Sequence, residues 1–295
     1  MNARSENLLL EVSNLTVTYR TRSHGDVVAV NGASFAIQHG ETVGFLGESG
    51  CGKSTIALSL LGLLPPDTTI QEGVIRFNGR ELQALNEREW ENIRGAEIAL
   101  IPQDPALALS PVKRVGEQLA DVIQAHRPWK RSRCREEAEQ LLHTVHLDDA
   151  SRVLSSYPFQ LSGGQLQRIV IAQALACEAS LVIADEPTSA LDSIVRAEIL
   201  DLFQELKQQR SMTLLLISHE PEILARLADR ILVMQKGRII EDGDFIRLRD
   251  HPVHAFTKDL LAAMRRPART TSRRMSGDQS LETLPDLIIG GKPRR

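Results

Sequence analysis

No uncharged apolar stretch in this 295-residue sequence approaches the roughly 20 residues that cross a bilayer, so any work at a membrane must go through a partner. The first residues, MNARSENLLLEV, set polar side chains before a short apolar run, which is not the layout of a secretory signal. Cysteine is scarce: Cys51, Cys134 and Cys177 are far apart and show no paired metal-ligand spacing, which excludes a disulfide framework and fits free thiols in a reducing compartment. Charge of one sign is lacking as well. With 35 Lys and Arg against 38 Asp and Glu, a formal net charge of −3 and a sequence pI of about 6.3, no global basic field draws nucleic acid or an anionic surface, and no nucleic-acid partner is expected. His126, His143 and His146 have no acidic or cysteine partner at ligand spacing and read as surface or core histidines. Internal repeats are not evident. What remains is an ordinary soluble balance, 42% hydrophobic and 25% charged, with a sizeable core in one large domain or two moderate ones.

The most informative stretch is residues 43–55, VGFLGESGCGKST. An apolar run stops at Gly47, and the pattern G-x-x-x-x-G-K-[ST] follows. In that pattern glycines let successive backbone N–H groups turn inward on a polyphosphate, Lys53 reaches the β and γ groups, and Ser54 can ligate Mg²⁺. The pattern requires a strand before it and a helix after it. Residues 42–46 supply the strand, and residues 54–64 read as a helix whose positive N-terminal dipole faces the anion. Cys51 lies inside this loop, where positive potential would lower its pKa and make it alkylable; the simpler reading is a variable position that tolerates a thiol. Alone, the loop says only nucleoside triphosphate and Mg²⁺.

Around it, LLLEV, LTVTY, VVAV and ASFAI are short apolar or alternating runs broken at Ser13-Asn14, at residues 23–26 and at His39-Gly40, and they read as strands joined by turns. Tyr19 ends one run, where its ring either stacks on a purine or fills a half-buried strand position. GVIRFNG at 73–79 predicts a strand with a turn at Asn78-Gly79, and residues 87–95 a charged helix. IALIPQDP at 98–105 is a strand that ends on Gln103, a polar amide placed where ligands bind in parallel α/β sheets. From about 112 to 160 the periodicity turns helical, with Val115, Leu119, Val122 and Ile123 on one face and Ala138, Leu141, Leu142 and Val145 on another, so a helical block is inserted in the sheet. LSGGQ at 161–165 is a second glycine pair, ahead of a helix from about 165 to 177. The buried strand at 181–184 then delivers Asp185 and Glu186, one placed to face a metal and the other to address water. A helix at 194–206, a buried strand at 213–218 that hands over His219, and a hairpin at 230–243 turning at Lys236-Gly237 close the fold. From Arg265 the chain is polar, basic and without periodicity, and residues 265–295 read as a flexible tail, with a late apolar patch at 284–289.

In this order and spacing, GESGCGKS, Gln103, LSGGQ, LVIADE at 181–186, SALD at 189–192 and His219 closely resemble the nucleotide-binding subunits of ABC transporters, over nearly all of residues 8–264. The resemblance implies an α/β P-loop NTPase of ABC type, with a RecA-like core sheet, an antiparallel β subdomain and an inserted helical subdomain at about 104–177. It implies an ATPase using ATP and Mg²⁺, with no guanine-reading N-K-x-D motif in the chain. By the same resemblance, Tyr19 stacks on adenine, and Gly47, Glu48, Ser49, Gly50, Cys51, Gly52, Lys53, Ser54 and Thr55 hold the phosphates. Ser54, Gln103 and Asp185 attend the metal, Glu186 is the general base, and His219 contacts the γ-phosphate. Ser162, Gly163, Gly164 and Gln165 form the signature loop that closes on ATP bound by an opposite subunit, so one chain holds two half-sites.

IRGAEIALIPQDP, LSPVKRVGEQL, YPFQLSGGQ and HPVHAFTKDLLAA at 251–263 are similar to the oligopeptide, dipeptide and nickel import branch, which makes residues 244–264 an importer-type segment. Val253 and His254 interrupt the branch's histidine-proline-tyrosine-threonine motif. No cysteine follows Cys177, so an iron–sulfur site is not expected, and Pro102 stands where the branch usually has an aromatic residue. The resemblance implies a peripheral subunit at the cytoplasmic face of the cell membrane. Its partners are a second ATPase subunit, the same chain or a paralogue, two membrane permeases and, indirectly, an extracytoplasmic solute-binding protein. The alternative class is a soluble ABC ATPase not tied to transport.

Overall fold

The computed structural model describes residues 7–20 and 25–264; the basic tail and the late apolar patch lie outside the described residues. Strand β1 (Leu8–Tyr19) pairs antiparallel with β2 (Val27–Gln38), each twelve residues long. The break at Ser13-Asn14, expected as a turn, is instead a bulge within one continuous strand. Asn14 takes φ 52°, the register jumps between Val12↔Phe35 and Leu15↔Ala33, and the Asn14 N–H donates to Ser34 Oγ at 2.8 Å. An asparagine tolerates this left-handed step, so the chain twists there without reversing. After β3 (Thr42–Leu46) and α1 (Lys53–Leu60) come β4 (Thr68–Phe77) and the two-residue β5 (Arg80–Glu81), joined by the Asn78-Gly79 turn with both φ values positive, 48° and 76°.

Helix α1 ends at Leu60, four residues short of the expected 64. Gly62 turns left-handed at φ 61°, the Leu63 N–H bonds back to the Leu58 carbonyl at 2.9 Å, and Pro65-Pro66 then bars any continuation. A side chain at 62 would also meet the Trp90 ring at 2.7 Å. That ring belongs to α2 (Glu87–Ile93), which opens with a reciprocal Asn86/Glu89 capping box.

Strand β6 (Ile98–Ile101) leads into the helical block: α3 (Pro105–Ala108), α4 (Val115–His126), α5 (Arg131–Thr144), α6 (Ala150–Ser155) and α7 (Gly163–Leu175). The chain then forms β7 (Leu181–Asp185), α8 (Ser193–Arg210), β8 (Thr213–Ser218), α9 (Pro221–Leu227), the hairpin β9 (Arg230–Gln235) and β10 (Arg238–Gly243), α10 (Phe245–Asp250) and α11 (Ala255–Met264). Because β6 and β7 are parallel neighbours, Ile98 beside Leu181, the block leaves the sheet and returns next to its point of departure.

Among the described residues the strands form two sheets, β2-β1-β4-β5 and β10-β9-β3-β8-β7-β6. The second is parallel except for β10 at its edge. Its central strands are apolar on both faces, as strands covered on both sides must be, and alternate residues serve different cores. Val43, Phe45, Ile183, Ile217 and Leu232 join α1 and the antiparallel sheet, while Leu46, Val182, Leu216 and Val233 join the helical block, α8 and α9. The period of two along each strand therefore welds the two layers through one sheet. Gly44 lets α9 lie close on β3, since a Cβ there would stand 2.9 Å from Leu224 Cδ2. Buried Arg168 ties the helical block to the sheet layer, donating to the Val145 carbonyl at 2.8 Å and to Glu198 at 3.0 Å.

Candidate functional site

Four parallel strands end at one edge of the sheet, and each passes directly into a residue with chemistry: β3 into Gly47, β6 toward Gln103, β7 into Glu186 after Asp185, and β8 into His219. That is the edge where open α/β sheets bind ligands. The loop after β3 is shaped by two glycines. A Cβ on Gly47 would lie 2.4 Å from the Met234 carbonyl oxygen, and Gly52, at φ 111°, would press one to 2.3 Å from the Ala29 oxygen. The hairpin turn at Lys236-Gly237 braces the loop from outside: the Gly237 N–H donates to the Cys51 carbonyl at 3.0 Å, and the Asn31 N–H to the Gly237 carbonyl at 2.8 Å. Lys53, only 5% exposed, curls into the loop and donates from Nζ to the carbonyls of Gly47 at 2.7 Å and Glu48 at 2.8 Å. Tyr19 is half-buried at the end of β1, with its hydroxyl 3.1 Å from Thr55 Oγ1.

Cys51 is not the acidified thiol that the neighbouring lysine alone would make, which leaves the simpler reading of a variable position. Its Sγ lies 3.7 Å from Lys53 Nζ, but burial pushes its pKa above the ordinary value and outweighs the lysine's pull. Iodoacetamide at neutral pH should therefore leave Cys51 unmodified in the folded chain over the time in which the urea-unfolded chain is fully labelled. Rapid labelling of the native Cys51 peptide, located by mass spectrometry, would contradict the burial argument.

The two carboxylates of β7 diverge. Asp185 keeps to the strand, and desolvation raises its pKa, opposed by a hydrogen bond from Ser54, raised further by Glu186 and lowered by Lys53. Glu186 steps out of the strand at φ 48°, its own N–H held by the Ile217 carbonyl at 2.9 Å. Its carboxylate is engaged at both ends: Gln103 Nε2 donates to Oε2 at 3.1 Å, and His219 Nδ1 lies 3.0 Å from Oε1. Phosphate loop, Asp185, Glu186, Gln103 and His219 thus converge. A cleft of about 330 Å³ opens between the loop after β3, Glu186 and His219, lined by Gly47, Glu48, Ser49, Glu186, His219 and Leu260. Leu260 was not singled out in the sequence; its signal is the spacing of Phe256, Leu260 and Leu261, which turns one face of α11 inward.

Ser162, Gly163, Gly164 and Gln165 are not among the residues lining this cleft. They build the start of α7, two residues earlier than expected, through a capping box in which Gln165 N–H donates to Ser162 Oγ at 3.3 Å and Ser162 N–H to Gln165 Oε1 at 3.1 Å. Their neighbours are the loop after β7 and the first turn of α8: a Cβ on Gly163 would lie 3.8 Å from Leu191, and one on Gly164 would meet Val195 Cγ1 at 2.6 Å. His146 Nε2 lies 3.0 Å from Glu205 Oε2 at the surface, and no group of three metal-ligating side chains occurs among the described residues.

Comparison with known proteins bears on this arrangement. The sequence profile of the ABC transporter family matches residues 30–189. The dipeptide transport ATP-binding protein DppD of Bacillus subtilis is 42% identical over 259 residues, which are 88% of this chain and 77% of that protein. The oligopeptide transport ATP-binding protein OppD of Salmonella typhimurium is 43% identical over 260 residues, with 88% and 77% covered. Among solved structures, the dimeric post-hydrolysis state of the ATP-binding cassette MJ0796 bound to ADP and Pi superposes with a TM-score of 0.71 at 27% identity, over 80% of this chain and 99% of that one.

Proposed function

This chain belongs to the ABC transporter family, and we propose that it is the ATP-hydrolysing subunit that energises a peptide importer of the dipeptide and oligopeptide type. The observation that carries the proposal is the convergence, at one sheet edge, of a lysine-filled phosphate loop and a glutamate held between Gln103 and His219. The named transport roles of DppD and OppD support the choice of solute class.

In this reading residues 47–55 wrap the phosphates, Lys53 exchanges the Gly47 and Glu48 carbonyls for phosphate oxygens, and the Tyr19 ring stacks on adenine. Mg²⁺ fits the donors: the Ser54 hydroxyl, the Asp185 carboxylate it hydrogen-bonds and the Gln103 amide oxygen are hard ligands, and a desolvated carboxylate favours a cation beside it. When bound, Mg²⁺ supplies charge neutralisation at the phosphates. Glu186 is the general base for the attacking water. In the structure each of its oxygens holds one partner, Gln103 or His219, which orients the carboxylate and leaves a further lone pair on each oxygen to accept the proton. His219 then turns to the γ-phosphate. The Ser162 to Gln165 loop completes the site of a second ATPase subunit, in keeping with its absence from the lining of this chain's own cleft. ATP then holds two subunits together, and loss of the γ-phosphate releases them.

Among the described residues no helix is long and apolar enough to cross a membrane. In the proposed importer, energy passes to two integral permeases, with this subunit bound at the cytoplasmic face and a solute-binding protein outside, as the transport roles named for DppD and OppD support. Affinity purification of the tagged chain from detergent extracts should bring down an integral membrane permease. A complex containing ribosomes or DNA and no membrane protein would overturn the transport reading in favour of a soluble ATPase.

A further inference from the structure

A closed ring of hydrogen bonds starts and ends at Glu186 and runs through two residues that carry no role so far. From the Glu186 carbonyl it passes to Ser189, whose N–H and hydroxyl both donate to it, at 3.2 and 3.1 Å. It follows the chain to Leu191, whose carbonyl accepts from Arg196 Nη2 at 3.4 Å. Arg196 Nη1 donates to Glu220 Oε2 at 2.6 Å. Glu220 is the next residue after His219, and His219 Nδ1 returns to Glu186 Oε1 at 3.0 Å.

Both ends of the Arg196 bridge are fixed. The Arg196 N–H is bonded to the Asp192 carbonyl at 2.9 Å in the first turn of α8, where Asp192 Oδ1 also accepts from the Ile194 and Val195 N–H groups, each at 3.1 Å. The Glu220 N–H donates to Ser218 Oγ at 3.0 Å, which pins the backbone that carries His219. The planar guanidinium makes the two bonds from two different nitrogens, Nη2 to the carbonyl and Nη1 to the carboxylate, in a fixed fork that a lysine ammonium does not reproduce.

We infer that Arg196, through Glu220, is a positioning residue that holds the 189–192 loop and His219 as one unit. The inference rests on the assignment of Glu186 and His219 to ATP hydrolysis. The 189–192 loop and the first turn of α8 that carries Arg196 also lie against the signature glycines, Leu191 beside Gly163 and Val195 against Gly164. A second subunit closing on that surface would push the loop, and the Arg196–Glu220 bridge would carry the push to His219 and so to its contact with Glu186. As a bare ion pair, with the two side chains 31% and 28% exposed, the bridge would do little for stability. Its value lies in alignment.

The test is steady-state hydrolysis by the full-length chain in its assembled transporter, with thermal unfolding and ATP binding measured alongside. Arg196→Ala should lower kcat by about tenfold with KM for ATP within about twofold of the unaltered protein, because misalignment harms the chemical step more than binding. Its Tm should stay within a few degrees. Arg196→Lys should recover part of kcat, and Arg196→Ala with Glu220→Ala should be no slower than Arg196→Ala alone, as expected for two members of one bridge. Unchanged kcat in Arg196→Ala, or a kcat loss matched by equal losses of Tm and ATP binding, would overturn the inference. Should Arg196→Ala fail to fold, Arg196→Lys and Glu220→Gln must show the same split of kcat from KM. If Glu186→Gln hydrolyses ATP like the unaltered chain, the underlying assignment falls; if Glu186→Gln is inactive and Arg196→Ala is not, only the present inference falls.

Discussion

Replacing Glu186 by Gln is expected to cut ATP turnover by about 10²–10⁴, the usual worth of a general base, while leaving the fold and ATP binding in place. The hydrogen bonds explain why the damage stays in the chemistry. Glu186 accepts from Gln103 Nε2 at one oxygen, and His219 Nδ1 lies 3.0 Å from the other. A glutamine of the same shape keeps the first bond through its amide oxygen and turns its NH₂ toward His219. Nδ1 can accept that donor if the imidazole holds its single proton on Nε2. Packing and bonding survive with one tautomeric change, and only the proton acceptor is lost. With binding intact and hydrolysis stalled, ATP should trap two ATPase subunits in the closed state, visible as a stable dimer in size-exclusion chromatography with Mg²⁺ and ATP. Turnover equal to that of the unaltered transporter would remove Glu186 from the role.

The parts of this site that could be read from the sequence are those that local physics writes into consecutive residues. An apolar strand that stops on a glycine, a lysine after two more glycines and a helix beyond them leave the chain few alternatives. The same holds for β7 and β8, whose buried runs end on Asp185 and on the residue before His219. Boundaries were harder. Helix α1 was expected to run to 64, but Gly62 and the Trp90 ring packed against it stop the helix at Leu60. At Ser13-Asn14 a turn signal became a bulge because both flanking runs pair with the same partner strands, β2 and β4. At Cys51 the sequence shows the neighbouring lysine and hides the burial, so only the structure gives the direction in which the thiol is shifted.

Contacts between distant residues leave no local trace at all. Arg196 and Glu220 stand 24 positions apart, one in the first turn of a helix and the other between a strand and a helix, where each reads as an ordinary solvated charge. Leu260 reaches the cleft from α11, which packs on α10 beyond the last strand. Sequence reasoning finds groups that act through their neighbours in the chain, and it passes over groups that act across the fold. The signature loop is a different case again. It is plain in sequence, but within one chain it lies against the loop after β7 and the start of α8 and does not line the cleft at Glu186, as expected if the surface it is proposed to serve belongs to another subunit.

Lys53→Ala is expected to weaken ATP binding by about 10²–10⁴-fold, since a charge-assisted hydrogen bond is worth about 1.5–3 kcal/mol and the ammonium is placed to make two of them to phosphate. The structure adds a second cost. Nζ now bridges the Gly47 and Glu48 carbonyls at 2.7 and 2.8 Å from a position 5% exposed, so the lysine fills the loop before any phosphate arrives. Alanine would leave two converging carbonyls without a donor, and the loop would open to hydrate them, losing the inward set of N–H groups along with the charge. Isothermal titration with ATP reads the combined loss, and thermal unfolding checks that the fold persists. Set beside Glu186→Gln, the two variants should separate cleanly: one binds ATP and fails to cleave it, the other has nothing bound to cleave. An undiminished ATP affinity in Lys53→Ala would mean that the phosphates lie elsewhere along the sheet edge, and with them every role assigned to Asp185, Glu186 and His219.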